Sequence, residues 1–163
     1  MASNLALDLR EKLHGAPHSK RSLRLWLRLL SCAIVIEKRI RNKLRDEFDT
    51  TLPRFDVLAA LERNDKGLTM SQLSRQILVS NGNVTGVVAR LIDDCMVERI
   101  EDTSDRRVVK VTMTRKGRDS FSRMARVHER WIDQIFGDLG DDEINALLDD
   151  LARLRKSVDN NPV

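Results

Sequence analysis

The 163-residue chain has no tyrosine, four phenylalanines and two tryptophans, so aromatics make up only 4% of it. Its core must be largely aliphatic. Three prolines and seven glycines are too few for the many tight turns of an all-β sandwich or barrel. No apolar run reaches the roughly 18 residues of a membrane helix. The first residues, MASNLALDLREKLHG, carry acids and no long apolar stretch, unlike a secretory signal. Cys32 and Cys95 show neither paired nor CxxC spacing. A reducing cytoplasm is therefore the expected compartment, and both thiols are expected to be buried and inert.

Catalytic patterns are missing too. There is no phosphate loop, no HExxH and no nucleophile elbow. His14 and His18 fall near the N-terminus, and His128 lies on an apolar helix face with no adjacent carboxylate pattern. The pairs Asp93–Asp94, Asp141–Asp142 and Asp149–Asp150 read as helix caps or solvated faces. No enzyme activity, cofactor or metal site is expected.

What remains is 41% hydrophobic and 33% charged residues with a net charge of +4. This composition suits a folded domain and makes an anionic partner plausible. The first 20 residues mix helix formers with breakers and are expected to form a loose arm. A long helix is expected from Ser22 to about Asp49. Its apolar stripe (Leu23, Leu27, Leu30, Ile34, Leu44 and Phe48, widened by Trp26, Leu29, Ala33, Ile36 and Ile40) is broader than a single small domain covers. A second chain is the natural cover. Another helix starts near Pro53, with Phe55, Leu58, Ala59 and Leu61 inward. Thr69 followed by Gln72 is a capping box that opens a short helix with Leu73 and Ile77 buried.

A turn at Leu78–Val79 leads to Ser80, an expected N-cap. The next helix reads NGNVTGVVARLI. Val84, Val87, Val88, Leu91 and Ile92 share its inner face at helical spacing. Gly82, Asn83, Gly86, Ala89 and Arg90 fall on the opposite arc. VERI at 97–100 and RVVKVTMT at 107–114 read as a hairpin with a charged tip. Thr114 caps a long helix to about Phe136, with Phe121, Met124, His128, Trp131, Ile132 and Ile135 along one side. Gly137 and Gly140 break it, and Asp141 is expected to cap a last helix. That helix spaces Ile144, Leu147, Leu148, Leu151, Leu154 and Val158 almost in heptads.

This order gives a mainly α fold with a small β-wing: a winged helix-turn-helix over 51–114, flanked by dimerisation helices at 21–50 and 115–160. In such a pair the second helix enters the major groove of DNA with its N-terminal residues toward base edges. Here that end offers Ser80, Asn81, Asn83 and Thr85, short groups able to bond or touch bases. Gly82 and Gly86 leave no side chain to hold the backbone off the duplex. Arg90 is long enough for a phosphate or a guanine. Ser71 and Gln72 complete the expected contacts from the preceding helix. Arg106 and Arg107, beside Asp105 at the wing tip, suit a narrow minor groove. A solvated face bearing ordinary surface ion pairs is the alternative reading of the same residues.

Three motifs carry a further likeness: S-x-x-x-V-T-x-x-V-x-R-L from Ser80, D-R-R at 105–107, and V-x-M-T-x-K-G from Val111. Over about residues 22–158 the chain resembles the MarR family of bacterial and archaeal transcription regulators. The resemblance implies an obligate homodimer with interlocked terminal helices, repression of a palindromic operator in double-stranded DNA, and release by a small ligand. RLWLRLLSC at 24–32 is similar to the subgroup answering to hydroxycinnamoyl-CoA thioesters. An aromatic acid or aromatic acyl-CoA would then meet Trp26 and Cys32, with Arg28, Lys38, Arg39 or Arg41 toward its phosphates. Trp26 as plain dimer core, with solvated arginines, is the competing reading. Some relatives sense peroxides through a cysteine of the first helix, where Cys32 stands, but they use tyrosines that this chain lacks. A winged helix that binds protein rather than DNA is a third alternative. No membrane partner is expected.

Overall fold

The computed structural model describes residues 17–77, 81–101 and 107–161. In chain order they form α1 (Pro17–Phe48), α2 (Leu52–Glu62), α3 (Met70–Gln76), α4 (Asn81–Asp93), β1 (Val97–Glu101), β2 (Val109–Met113), α5 (Arg115–Ile135) and α6 (Asp141–Asn160). The residues fall into two compact units, one up to Ala125 and one from Arg126 onward, divided within α5. No helix among the described residues is long and apolar enough to cross a membrane.

In the first unit, α2, α3 and α4 pack on one another, and β1 and β2 close one side. Val57, Leu58 and Leu61 of α2, Leu73 of α3 and Val84, Val87, Val88 and Leu91 of α4 are all buried. Each such aliphatic side chain contributes about 1.5–3 kcal/mol by leaving water. The core is aliphatic apart from Phe55 and Phe121, whose rings lie 5.4 Å apart at 39°. The strands pair antiparallel, with Val97 opposite Met113 and Glu101 opposite Val109. Leu68 adds one more rung through reciprocal backbone bonds with Val111 (3.0 and 2.8 Å). The capping box at α3 is complete: Thr69 Oγ1 accepts from the Gln72 N–H, and Gln72 Oε1 accepts from the Thr69 N–H at 2.9 Å.

Helix α1 begins five residues before the expected Ser22. Proline lacks an N–H and has φ preset for a first turn, so Pro17 opens a helix as readily as it breaks one. The arm expected over 1–20 lies mainly outside the described residues. Of α1's wide apolar stripe only Ile40 and Leu44 are buried, while Leu25, Trp26, Leu30, Ile34 and Val35 are exposed.

In the second unit, Trp131 is buried and stands edge-on to His128 at 6.3 Å. The N-cap of α6 is Gly140 and not the expected Asp141. Its N–H donates to Glu143 Oε2 at 2.9 Å, so the third residue of the helix satisfies the cap and the capping position needs no side chain. No residue of α6 is buried. Leu148 is 59% and Val158 60% exposed.

Candidate nucleic-acid interface

The two helices of the expected helix-turn-helix are α3 and α4, and their own sequences fix how they are held. Helix α4 is pinned by its valine-rich face, which leaves Thr85, Gly86, Ala89 and Arg90 outward and exposed. An ideal Cβ placed on Gly86 would meet no atom within 4 Å. Nothing among the described residues requires a glycine there. A glycine in a helix interior costs about 1 kcal/mol relative to alanine, so its benefit lies in whatever approaches that face.

Helix α4 ends at a Schellman stop. The N–H of Cys95 donates to the carbonyl of Ile92 and that of Met96 to the carbonyl of Leu91, each at 2.8 Å. Cys95 holds φ +57°, a left-handed conformation that usually falls to glycine. Several bonds then fasten this end. The Arg54 guanidinium of α2 pairs with the Asp94 carboxylate. Lys116 Nζ donates to the Asp94 carbonyl at 2.9 Å. Thr114 Oγ1 donates to the Cys95 carbonyl at 2.7 Å and accepts from the Gly117 N–H at 3.0 Å, capping α5 as expected. A Cβ on Gly117 would lie 2.0 Å from the Met96 carbonyl oxygen, so only glycine lets α5 start this close to the end of α4. The pattern V-x-M-T-x-K-G is thus a joint between the wing, α4 and α5.

The expected DNA contacts are only partly brought together. Ser71 and Gln72 are exposed on α3, but the Gln72 carbonyl is already engaged by the cap. Asn81, Gly82 and Asn83 form the first turn of α4, and Thr85, Gly86 and Arg90 follow on the open face. Arg107 is exposed where the wing returns. Ser80, Asp105 and Arg106 lie outside the described residues. Arg75, exposed in the last turn of α3, was absent from the expected set. Its only signal in the sequence is a basic residue one turn before the helix pair's connection.

The six expected effector residues all lie exposed on α1, and helical spacing separates them. Arg28, Cys32 and Arg39 share one face. Trp26 stands on the other side, and Arg41 pairs with Glu37.

Cys32 and Cys95 are both exposed, against the expectation of buried thiols. Cys32 lies beside the polar stripe of α1, and Cys95 occupies a surface turn whose backbone role has no use for burial. Among the described residues one carboxyl and one imidazole are perturbed. Burial, and secondarily the neighbouring Glu37, pushes the Asp56 carboxyl up, opposed by Arg41 and Arg63. Burial pushes the His128 imidazole down.

The fold and this outward helix define a winged helix-turn-helix protein of the kind that regulates transcription. The family model described as "MarR family" matches residues 48–108. A transcriptional activatory protein, BadR of Rhodopseudomonas palustris, is 35% identical over 140 residues, covering 84% of this chain and 78% of that protein. A MarR family transcriptional regulator from Silicibacter pomeroyi superposes with a TM-score of 0.76 at 29% identity, over 88% of this chain and 99% of that one. Streptococcus pneumoniae FabT, crystallised in complex with DNA, shares the fold with a TM-score of 0.70 at 23% identity, over 85% and 98% of the two chains. The chain belongs to the MarR family and is a transcriptional regulator, not an enzyme.

Proposed function

We propose that two copies of this chain bind a palindromic operator as a homodimer and that a small effector releases it. The observation that carries the reading is the outward face of α4, where Thr85, Gly86 and Ala89 leave the backbone almost bare and a Cβ on Gly86 would meet nothing. A two-fold pair of such helices reads half-sites about one helical turn apart, near 10 bp. The first turn of α4 with Thr85 addresses base edges, Arg90 addresses a phosphate or guanine, and the wing at Asp105–Arg107 follows the minor groove. The exposed apolar faces of α1 and α6 support the homodimer. Exposed Trp26 supports an aromatic acid or its acyl-CoA as effector, whereas Arg28 and Arg39 stand on the opposite side of α1 and do not line the same site. Repression is the direction we assign, with a cytoplasmic site of action.

The test is a fluorescence-anisotropy titration of the dimer against the promoter beside its own gene. Nanomolar binding that weakens steeply with salt is expected, because each phosphate contact releases counterions. Affinity no better than for a random duplex overturns the sequence-specific reading. Adding an aromatic acid and its CoA thioester separately decides the effector class, and a reporter assay decides repression against activation. The exposure of Cys32 favours a second reading, a thiol-based switch. Peroxide should then release the wild type from DNA and leave Cys32→Ser bound.

A further inference from the structure

We infer that the groove between the end of α4 and β1 is a binding site for a small aromatic amine. The groove holds about 540 Å³, within the range of roughly 300–1,000 Å³ that small-molecule sites occupy. Ala89, Ile92 and Asp93 form one wall. Their spacing of three and four positions puts all three on one face of α4. Val97, Glu98 and Arg99 of β1 form the other wall, and Cys95 stands at the turn between the two. None of the described residues of α1 lines it, so it is separate from the Trp26 face proposed above for an aromatic acid.

The chemistry of the walls selects the occupant. Ile92 and Val97 offer apolar surface on which a flat ring loses its water. Asp93 and Glu98 bring carboxylates from opposite walls. Among the described residues neither side chain has an ion-pair or hydrogen-bond partner. The whole chain carries a net charge of +4, so two unpaired acids beside a single arginine make this groove a local exception. An ammonium group set between them gains charge-assisted hydrogen bonds to both. The Arg99 guanidinium is planar and can stack on the ring. A carboxylate ligand meets the same arginine but faces two like charges, which oppose its binding. Ala89 also belongs to the exposed outward face of α4, so an occupant borders the duplex. This last step rests on the DNA-binding reading above. The bound cation screens Asp93 and Glu98 from the phosphates, and amine and DNA then strengthen each other's binding by the same factor.

The experiment uses the full chain with Cys32→Ser, which leaves Cys95 as its single thiol. Phenylethylamine, phenylethanol and phenylpropionate present one ring with a positive, neutral or negative end. The rate of Cys95 alkylation by iodoacetamide, followed by mass spectrometry, reads occupancy, because the thiol is exposed and lines the groove. Phenylethylamine should slow alkylation saturably, with affinity at least about tenfold above either analogue. Adding Asp93→Asn and Glu98→Gln should weaken that protection about tenfold, while the urea midpoint confirms that the variant is folded. No protection by any of the three compounds overturns the site. Equal protection by all three, or protection that the double change leaves intact, overturns the amine assignment. Fluorescence anisotropy with the promoter duplex reads the coupling. Phenylethylamine should tighten the complex several-fold and have no effect once both carboxylates are replaced. Release of DNA by the amine overturns the coupling. A chain that binds no DNA defeats the earlier reading, and the alkylation assay still decides the site.

Discussion

Arg54 at the start of α2 and Asp94 at the end of α4, 40 positions apart in sequence, form an ion pair that ties the outward helix to the rest of its unit. The Arg54 side chain is only 21% exposed. Asp94 is anchored a second time through its carbonyl to Lys116. The orientation of α4 therefore depends on a node where α2, α4 and α5 meet. Arg54→Ala should cost about 1 kcal/mol in chemical denaturation, since one partner of the pair stays half in water. It should also weaken DNA binding several-fold through loss of orientation. Adding Asp94→Ala to it should cost less than the sum of the two single changes.

Gly86 separates stability from function. Open space surrounds its missing Cβ, so Gly86→Ala should raise stability by about 1 kcal/mol. The added methyl group would stand where a duplex backbone must approach, and affinity should fall at least about tenfold. Denaturation and anisotropy on the same sample check both halves. Unchanged affinity would mean that this face does not meet DNA.

Gly117 and Cys95 should respond in opposite senses. Gly117→Ala drives a Cβ into the Met96 carbonyl and should cost about 3 kcal/mol, at the upper end for overpacking. Cys95→Gly relieves a left-handed residue at φ +57° and should add about 1 kcal/mol. Because the Cys95 side chain is exposed, little burial is lost. Urea unfolding of the two variants checks the pair.

Two groups give stability an opposed dependence on pH. Asp56 has a folded pKa above its ordinary 3.8, so the folded state binds its proton more tightly. Its contribution is present below 3.8 and is lost as pH rises through the folded value. Asp56→Asn should remove that fall and stabilise the protein at neutral pH. His128 has a folded pKa below its ordinary 6.5, so the unfolded chain binds the proton more tightly. That contribution is full above 6.5 and is lost as pH falls toward the folded value. His128→Gln should flatten this limb. Urea midpoints from about pH 4 to 8 separate the two slopes.

Much of the fold was legible because its determinants are local. The box formed by Thr69 and Gln72 and the valine face of α4 depend on residues within a few positions of one another. The same holds for the alternation that marks the wing. Helix α1 starts earlier than its apolar periodicity predicts because Pro17 presets φ for a first turn and needs no N–H partner there, as Pro53 does at the start of α2. The candidate interface was legible in part: the bare arc of α4 followed from spacing, whereas Arg75 gave no periodic signal.

Sequence alone determined which segments are helical and which face of α4 is apolar. These are properties of neighbouring residues and helical geometry. Tertiary structure alone decided that Gly86 stands in open space while Gly117 touches a carbonyl, that both cysteines are exposed, and that Arg54 reaches Asp94. Each of these depends on atoms from elements distant in the chain, whose approach is set by packing and not by local pattern.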